Sequence, residues 1–331
     1  MRKNITIMVL ILSLFPVSFA KQIDNKVGTT SFQFLKIGVG ARGNALGGAN
    51  ISTPSGPYSM YWNPAGICAS NKMEVTVFNN NWIANIKHGF IGATVPVSNN
   101  DYLGAALIFV NMGEMEETTI TEPQGTGKYF SAADYALTMT YGRRITDRFM
   151  TAISVKYINE QIWDLVSDGW AFDVGLIYNF NKFHVGMSFS NFGMKQDISG
   201  KQLEFEYQIY PEEKVDEVLL GYIPKKLALP MSFRFGAAYD LVRVNYHKLA
   251  AMSSIYYSND IGESENVGLE YSFMENYILR GGYQFNHEGY DWSAGLGVRF
   301  HIKNIRFEFD YATLNLRDFD LQHQTGLSVS F

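Results

Sequence analysis

Apolar and polar residues alternate with a period of two along most of this chain. The pattern is plainest near the C-terminus, where Ile305, Phe307, Phe309 and Tyr311 alternate with Arg306, Glu308, Asp310 and Ala312. Successive side chains of a strand point to opposite faces, so one face here is apolar and the other carries three charges. The preceding segment repeats this: Tyr290, Trp292, Ala294, Leu296, Val298 and Phe300 oppose Asp291, Ser293, Gly295, Gly297 and Arg299. Similar alternation covers residues 170–180, 231–241, 267–273 and 277–285. A soluble sandwich would turn the apolar face to its core and the charged face to water. Strand length favours the opposite orientation. The segments suit membrane strands of about 9–11 residues, longer than the globular mode of about 5–6. Aromatics recur at their ends (Tyr102, Tyr135, Trp170, Phe180, Tyr290 and Phe300), as interfacial girdles require. The apolar face is therefore expected to look outward into lipid.

This reading predicts an all-β fold: a transmembrane antiparallel β-barrel of about fourteen strands. They are expected to begin near Met73, Ile86, Asp101, Asp134, Phe149, Gly169, Phe183, Met231, His247, Glu265, Tyr277, Tyr290, Ile305 and Leu321. Short connections then fall at 98–100, 146–147, 181–182, 243–246, 274–276 and 303–304. Most longer ones fall between them, at 111–133, 158–168, 191–230, 258–264 and 313–320, with shorter loops near 79–85 and 286–289. Bacterial barrels have short periplasmic turns, longer outer loops and an even strand number. The final residue, Phe331, closes an alternating strand and is expected to serve as the signal read by the outer-membrane barrel assembly machinery.

Export follows from the other end. Arg2 and Lys3 precede an apolar run from Ile5 to Phe15, and Ser18-Phe19-Ala20 supplies small residues for cleavage. The expected division is a signal peptide over 1–20, an N-terminal plug or hatch over 21–70 and the barrel over 71–331. Aromatics make up 15% of the chain, yet mean hydropathy is −0.08, as strands that are only half apolar give. The formal charge of −5 argues against a nucleic-acid partner, which favours a basic surface. Cys68 is the only cysteine, so no internal disulfide and no zinc-type cluster is expected. The six histidines form no metal-spaced pair. No Ser-His signature stands out, and neither an enzyme activity nor a cofactor or metal is expected. Acidic stretches at 114–122 and 204–217 suit solvated outer loops better than calcium sites. Residues 215–223 add an apolar stretch, suited to a partner, a hydrophobic ligand or the barrel rim.

Residues 27–70 do not alternate. They are rich in glycine and contain Phe32, Phe34, Leu35, Ile37, Tyr58, Tyr61 and Trp62, too apolar for a solvated tail. Packing inside the barrel would satisfy them. Buried charges need partners, so the inward Arg234, Glu270, Arg280, Arg299, Arg306, Glu308 and Asp310 are expected to pair with each other and with the plug. A wet, charge-lined channel is the alternative. Gly38, Gly40 and Gly43 match G-x-G-x-x-G, but residues 50–72 hold no Asp or Glu, so the dinucleotide reading fails its context. Backbone turns against the barrel wall remain. Gly89, Gly92 and Gly104 would mark either a kink opening the wall sideways or close packing.

The hatch residues Gly38, Gly40, Arg42, Gly43, Gly47, Gly48, Asn63, Pro64, Ala65 and Gly66 stand in the runs 34–43, 47–49 and 61–66. These runs resemble the opening of the PorV/PorQ family, part of the FadL-like group of fourteen-stranded outer-membrane barrels. The resemblance covers about forty residues. It implies an outer-membrane location and a docking or shuttle role in type IX-like protein secretion and surface attachment. Its partners would be outer-membrane lipid, the assembly machinery, a secretion channel and exported cargo. The alternative it implies is a FadL-like channel for a hydrophobic ligand.

Overall fold

A computed structural model describes residues 27–207, 218–286 and 289–331. The leader proposed for residues 1–20, His287 and much of the acidic and apolar stretch at 204–223 lie outside the described residues or side chains. In chain order the strands are β1 (Glu74–Asn81), β2 (Lys87–Pro96), β3 (Asp101–Glu116), β4 (Tyr129–Arg144), β5 (Phe149–Ile162), β6 (Leu165–Phe180) and β7 (Phe183–Gly193). A hairpin outside the ring follows, β8 (Glu204–Tyr207) and β9 (Val218–Gly221). The ring resumes with β10 (Ser232–Val244), β11 (His247–Ser258), β12 (Gly262–Phe273), β13 (Tyr277–Phe285), β14 (Tyr290–Ile302), β15 (Ile305–Leu316) and β16 (Gln322–Ser330). Fourteen strands thus form a closed antiparallel barrel, and β1 seals it by pairing with both β2 and β16. Closure leaves no unpaired edge, which hydrocarbon would not tolerate.

The two-residue repeat is turned inside out relative to a soluble protein. On β4, Met139 is 63% exposed while its neighbour Thr138 is 3% exposed. Val77, Ile91, Leu103, Leu137, Leu279, Leu296, Phe309 and Leu327 all point outward, whereas Thr76, Thr140, Ser154, Asp173 and Arg280 are buried. Tyr135, Tyr157 and Trp170 lie side by side on β4, β5 and β6, with ring centroids 6.2 and 5.2 Å apart. Toward the strand tips beyond them, Ser131 of β4 and Asp168 of β6 are polar and exposed. This is the girdle expected where an apolar band meets water.

The expected periplasmic turns fall at 181–182, 274–276 and 303–304, with Asn181 and Asn245 in the left-handed conformation of tight turns. The outer loops are shorter than the sequence reading made them. Pairing continues to Glu116 opposite Tyr129, and to Ile162 opposite Leu165. The loops expected at 111–133 and 158–168 therefore shrink to 117–128 and 163–164. Gly and polar residues at the strand tips broke the alternation without breaking the ladder. A bulge between Tyr290 and Ser293 corrects another expectation. The extra residue flips the register, so Tyr290 packs inward beside Ala41, Ala45, Ala312 and Leu314 while Trp292 stays outside. The β2 ladders show no register shift. Gly89 faces the Phe109 ring, Gly92 faces Phe90 and Pro57, and Gly104 faces Met60. These glycines serve close packing, and the ladders run unbroken past them.

Candidate functional site: a filled lumen

The N-terminal segment is built from short pieces: a 3-10 turn at Gln33–Lys36, α1 (Ala41–Ala45), α2 (Ser59–Trp62) and a second 3-10 turn at Pro64–Ala69. Each ends where its sequence gives out. Gly40 precedes α1 at φ 86°, with the Tyr58 ring against it, and Gly47 leaves it at φ 63°, pressed on the backbone of Tyr283 in β13. Asn63 caps the second 3-10 turn by accepting from the Ala65 amide at 3.2 Å, with Pro64 in the first position. That arrangement satisfies an amide that a helix start otherwise orphans.

Hydrogen bonds from this segment reach strands on well-separated parts of the ring. Asn63 Nδ2 donates to Ile51 O and to Leu176 O of β6, both at 3.0 Å. Ser188 of β7 donates to Trp62 O at 3.0 Å. Asn44 Nδ2 donates to Gln324 Oε1 of β16 at 2.7 Å and to Gly38 O at 2.9 Å. Gln284 of β13 donates to Gly47 O at 2.7 Å. Gly43 gives its missing side chain's space to the Trp62 indole, Gly66 to Ser59 and Pro54, and Gly48 lies beside Gln284 and Asn266. Pro64 and Ala65 are buried against Gly175 of β6.

Six of the seven predicted lumen charges are joined with Arg42 and Glu74. Arg42 clamps Glu270 with Nε to Oε2 at 2.8 Å and Nη2 to Oε1 at 3.1 Å, and its Nη1 donates to Asn50 Oδ1 and Thr53 O. Arg280 donates to the same Glu270 at 2.8 Å, to Asp310, and approaches Glu308 at 3.6 Å. Arg299 holds Glu308 with two bonds of 2.8 Å, and Arg306 reaches Glu74 at 3.0 Å. Arg234 stands apart, stacked among Tyr61, Trp62 and Tyr256. Phe331 lies just past β16, half-exposed, its amide donating to Met73 O.

Sequence reasoning missed several partners. Lys156 meets Asp173 at 2.7 Å and Asn191 at 2.9 Å. Lys36 meets Asp260 at 2.6 Å, with Thr30 and Ser258 donating to the same carboxylate. Burial pushes the Asp260 carboxyl up, but the bonds from Lys36, Ser258 and Thr30 outweigh it and hold it below the ordinary carboxylate value. The signal for Lys156 and Asp173 was present, since both occupy the polar side of an alternating strand. Among the described residues no group of three or more His, Cys, Asp or Glu is placed to hold a metal.

The lumen retains cavities of about 40 and 30 Å³. A larger apolar groove of about 570 Å³ lies on the lipid-facing wall, where Ala237, Ala251, Ser253 and Gly281 sit low between Tyr239, Leu269 and Tyr283. It is not beside Asn63–Ala65.

The family model described as type IX secretion system protein PorV matches residues 20–257. The chain belongs to the PorV family. It is thus an outer-membrane barrel linked to type IX secretion. No curated protein matches it in sequence. Solved structures similar to this PorV-family chain include the toluene transporter TbuX of Ralstonia pickettii: 13% identity, TM-score 0.54, 88% of this chain and 97% of that one. The toluene transporter TodX of Pseudomonas putida gives 14%, 0.55, 88% and 97%. A FadL homologue of Pseudomonas aeruginosa gives 9%, 0.51, 88% and 98%. At these identities the likeness establishes a FadL-like barrel fold.

Proposed function

We propose that this chain is a plugged docking barrel of type IX secretion. In this reading residues 27–70 act as the plug, and the outer connections at 117–128 and 194–231, the counterparts of the expected 111–133 and 191–230, contact a secretion channel or exported cargo. The work is binding, not chemistry. The observation that carries it is the filled lumen: an ion-paired interior whose described cavities each hold about one water. A barrel so filled offers its outside to partners. Lipid would cover the apolar band, and the assembly machinery would handle the last strand. The test is deletion of residues 117–128 in the native host. Cargo secretion should fall while barrel abundance in the outer membrane stays constant; undiminished secretion would refute the role.

A second reading has one observation in its favour. The apolar groove on the wall of β10–β13 falls within the size range of ligand sites, and a FadL-like channel would take a hydrophobic small molecule. Passage would require the N-terminal segment to shift. Hydrocarbon uptake that is unchanged by loss of the gene would count against it.

A further inference from the structure

Among the seven inward charges, Arg234 alone has no carboxylate within 4.0 Å among the described residues. It is nevertheless only 7% exposed. Its guanidinium lies 4.7 Å from the Tyr256 ring centroid, 5.4 Å from Tyr61 and 5.8 Å from Trp62. Ring faces attract a cation, but they leave most of the five in-plane N–H donors of a guanidinium uncommitted.

Arg234 lines the cavity of about 40 Å³, together with Lys36, Tyr256, Ser264, Asn266 and Tyr290. No Asp or Glu lines it. Ser264 Oγ and Asn266 Oδ1 are buried with no hydrogen-bond partner. Asn266 Nδ2 donates to Ser254 Oγ at 3.3 Å. Ser254 in turn donates its one hydrogen to Gly48 O at 3.3 Å, which holds the Asn266 amide in this orientation. As donors the wall offers the Arg234 guanidinium, the Ser264 hydroxyl and the Lys36 ammonium, the last already paired with Asp260 at 2.6 Å. Two positions show where the cavity sits. Arg234 is the third residue of β10, just below the long outer connection, and Ile261 of the outer turn 259–261 also lines it.

We propose that this cavity is an anion site that takes one carboxylate group from the outer mouth, with Arg234 as its anchor. The planar guanidinium matches a carboxylate in a two-bond fork. In a cavity of about 40 Å³ the fork, not the volume, selects a planar carboxylate. The rest of the ligand would extend toward the mouth. The site does not depend on the docking role, since it is defined by binding alone.

The test uses the purified full-length barrel in detergent at constant ionic strength. Sodium acetate should produce a saturable calorimetric signal with a stoichiometry near one. Arg234→Gln should weaken it at least tenfold, and Arg234→Lys, which keeps charge but loses the fork, should weaken it severalfold. Ser264→Ala, a milder change in case the Arg234 variants fail to fold, should also weaken it. A short peptide with a free C-terminal carboxylate is compared with its amide. Binding of the free form alone identifies a chain's carboxylate as an accepted source; acetate binding without peptide binding restricts the site to small free acids. No saturable response to acetate, an equal response in Arg234→Gln and Ser264→Ala, or an equal response to chloride or sulfate would overturn the proposal.

Discussion

Arg42 is where the N-terminal segment grips the wall, so Arg42→Ala is the sharpest perturbation of the filled lumen. The change removes both bonds to Glu270 and those to Asn50 Oδ1 and Thr53 O. The side chains of Arg42 and Glu270 are 15% and 17% exposed, so solvent screens the pair little. Breaking a buried pair costs about 3–5 kcal/mol when it strands a charge. Glu270 is not stranded, because Arg280 still donates to it at 2.8 Å. We therefore expect a loss of roughly 2–4 kcal/mol, with Arg42→Lys between the two because an ammonium cannot make the fork. Chemical unfolding of the barrel in detergent, followed by tryptophan emission, measures the loss. A double-mutant cycle with Glu270→Gln should return a coupling of about 1–3 kcal/mol. Ionic conductance across a planar bilayer should rise in the same variant. A loss under about 0.5 kcal/mol with no coupling, a size typical of surface changes, would show that the network does not hold the segment.

Three further outcomes follow from the packing. Asn63→Ala removes the bonds to the carbonyls of Ile51 and Leu176 and uncaps Ala65, so unfolding should shift by about 1–3 kcal/mol; a shift confined to a few tenths would contradict the bridging role. At Gly282 of β13 an added Cβ would collide with backbone atoms of Leu46 and Gly47. Gly282→Val should leave the strand ladder formed but expose residues 27–70 to protease, and full protection would refute the fit. Burial pushes the Cys68 thiol up to about 12 from 9.0, outweighing the opposing Arg144. Maleimide labelling of the folded barrel should therefore stay slow at pH 9 and become fast after unfolding. The buried thiol's contribution to stability is complete below pH 9 and fades as pH climbs toward 12. Labelling that is equally fast in folded and unfolded protein would refute its burial.

The strands were legible because period-two alternation is a local signal that survives in a single sequence. It placed Phe307 and Phe309 outward, and it put Glu308 and Asp310 on the inward side. It failed where local order and pairing part company. The bulge at β14 reversed Tyr290, and polar tips hid the last turns of β3 and β4. The partners of the charges were less legible still. Arg280 meets Asp310 across a strand because of barrel register, and Arg42 meets Glu270 across 228 residues of sequence. Nothing local encodes such a meeting. Asn63-Pro64-Ala65-Gly66 was visible as a turn, but its seat against Gly175 of β6 came only with the fold.

The barrel is cut obliquely at its top. β3, β4 and β6 each run 16 residues, while β1, β13 and β16 run 8 or 9. Seven extra residues at about 3.3 Å each, tilted about 40°, raise one flank roughly 15–20 Å above the other. The low flank carries only the brief connections 82–86, 259–261, 286–289 and 317–321. A molecule arriving over the membrane therefore meets a parapet on one side and an open sill on the other. The geometry gives the cylinder a front and a back, and a neighbour lodged against the parapet would find every copy facing the same way.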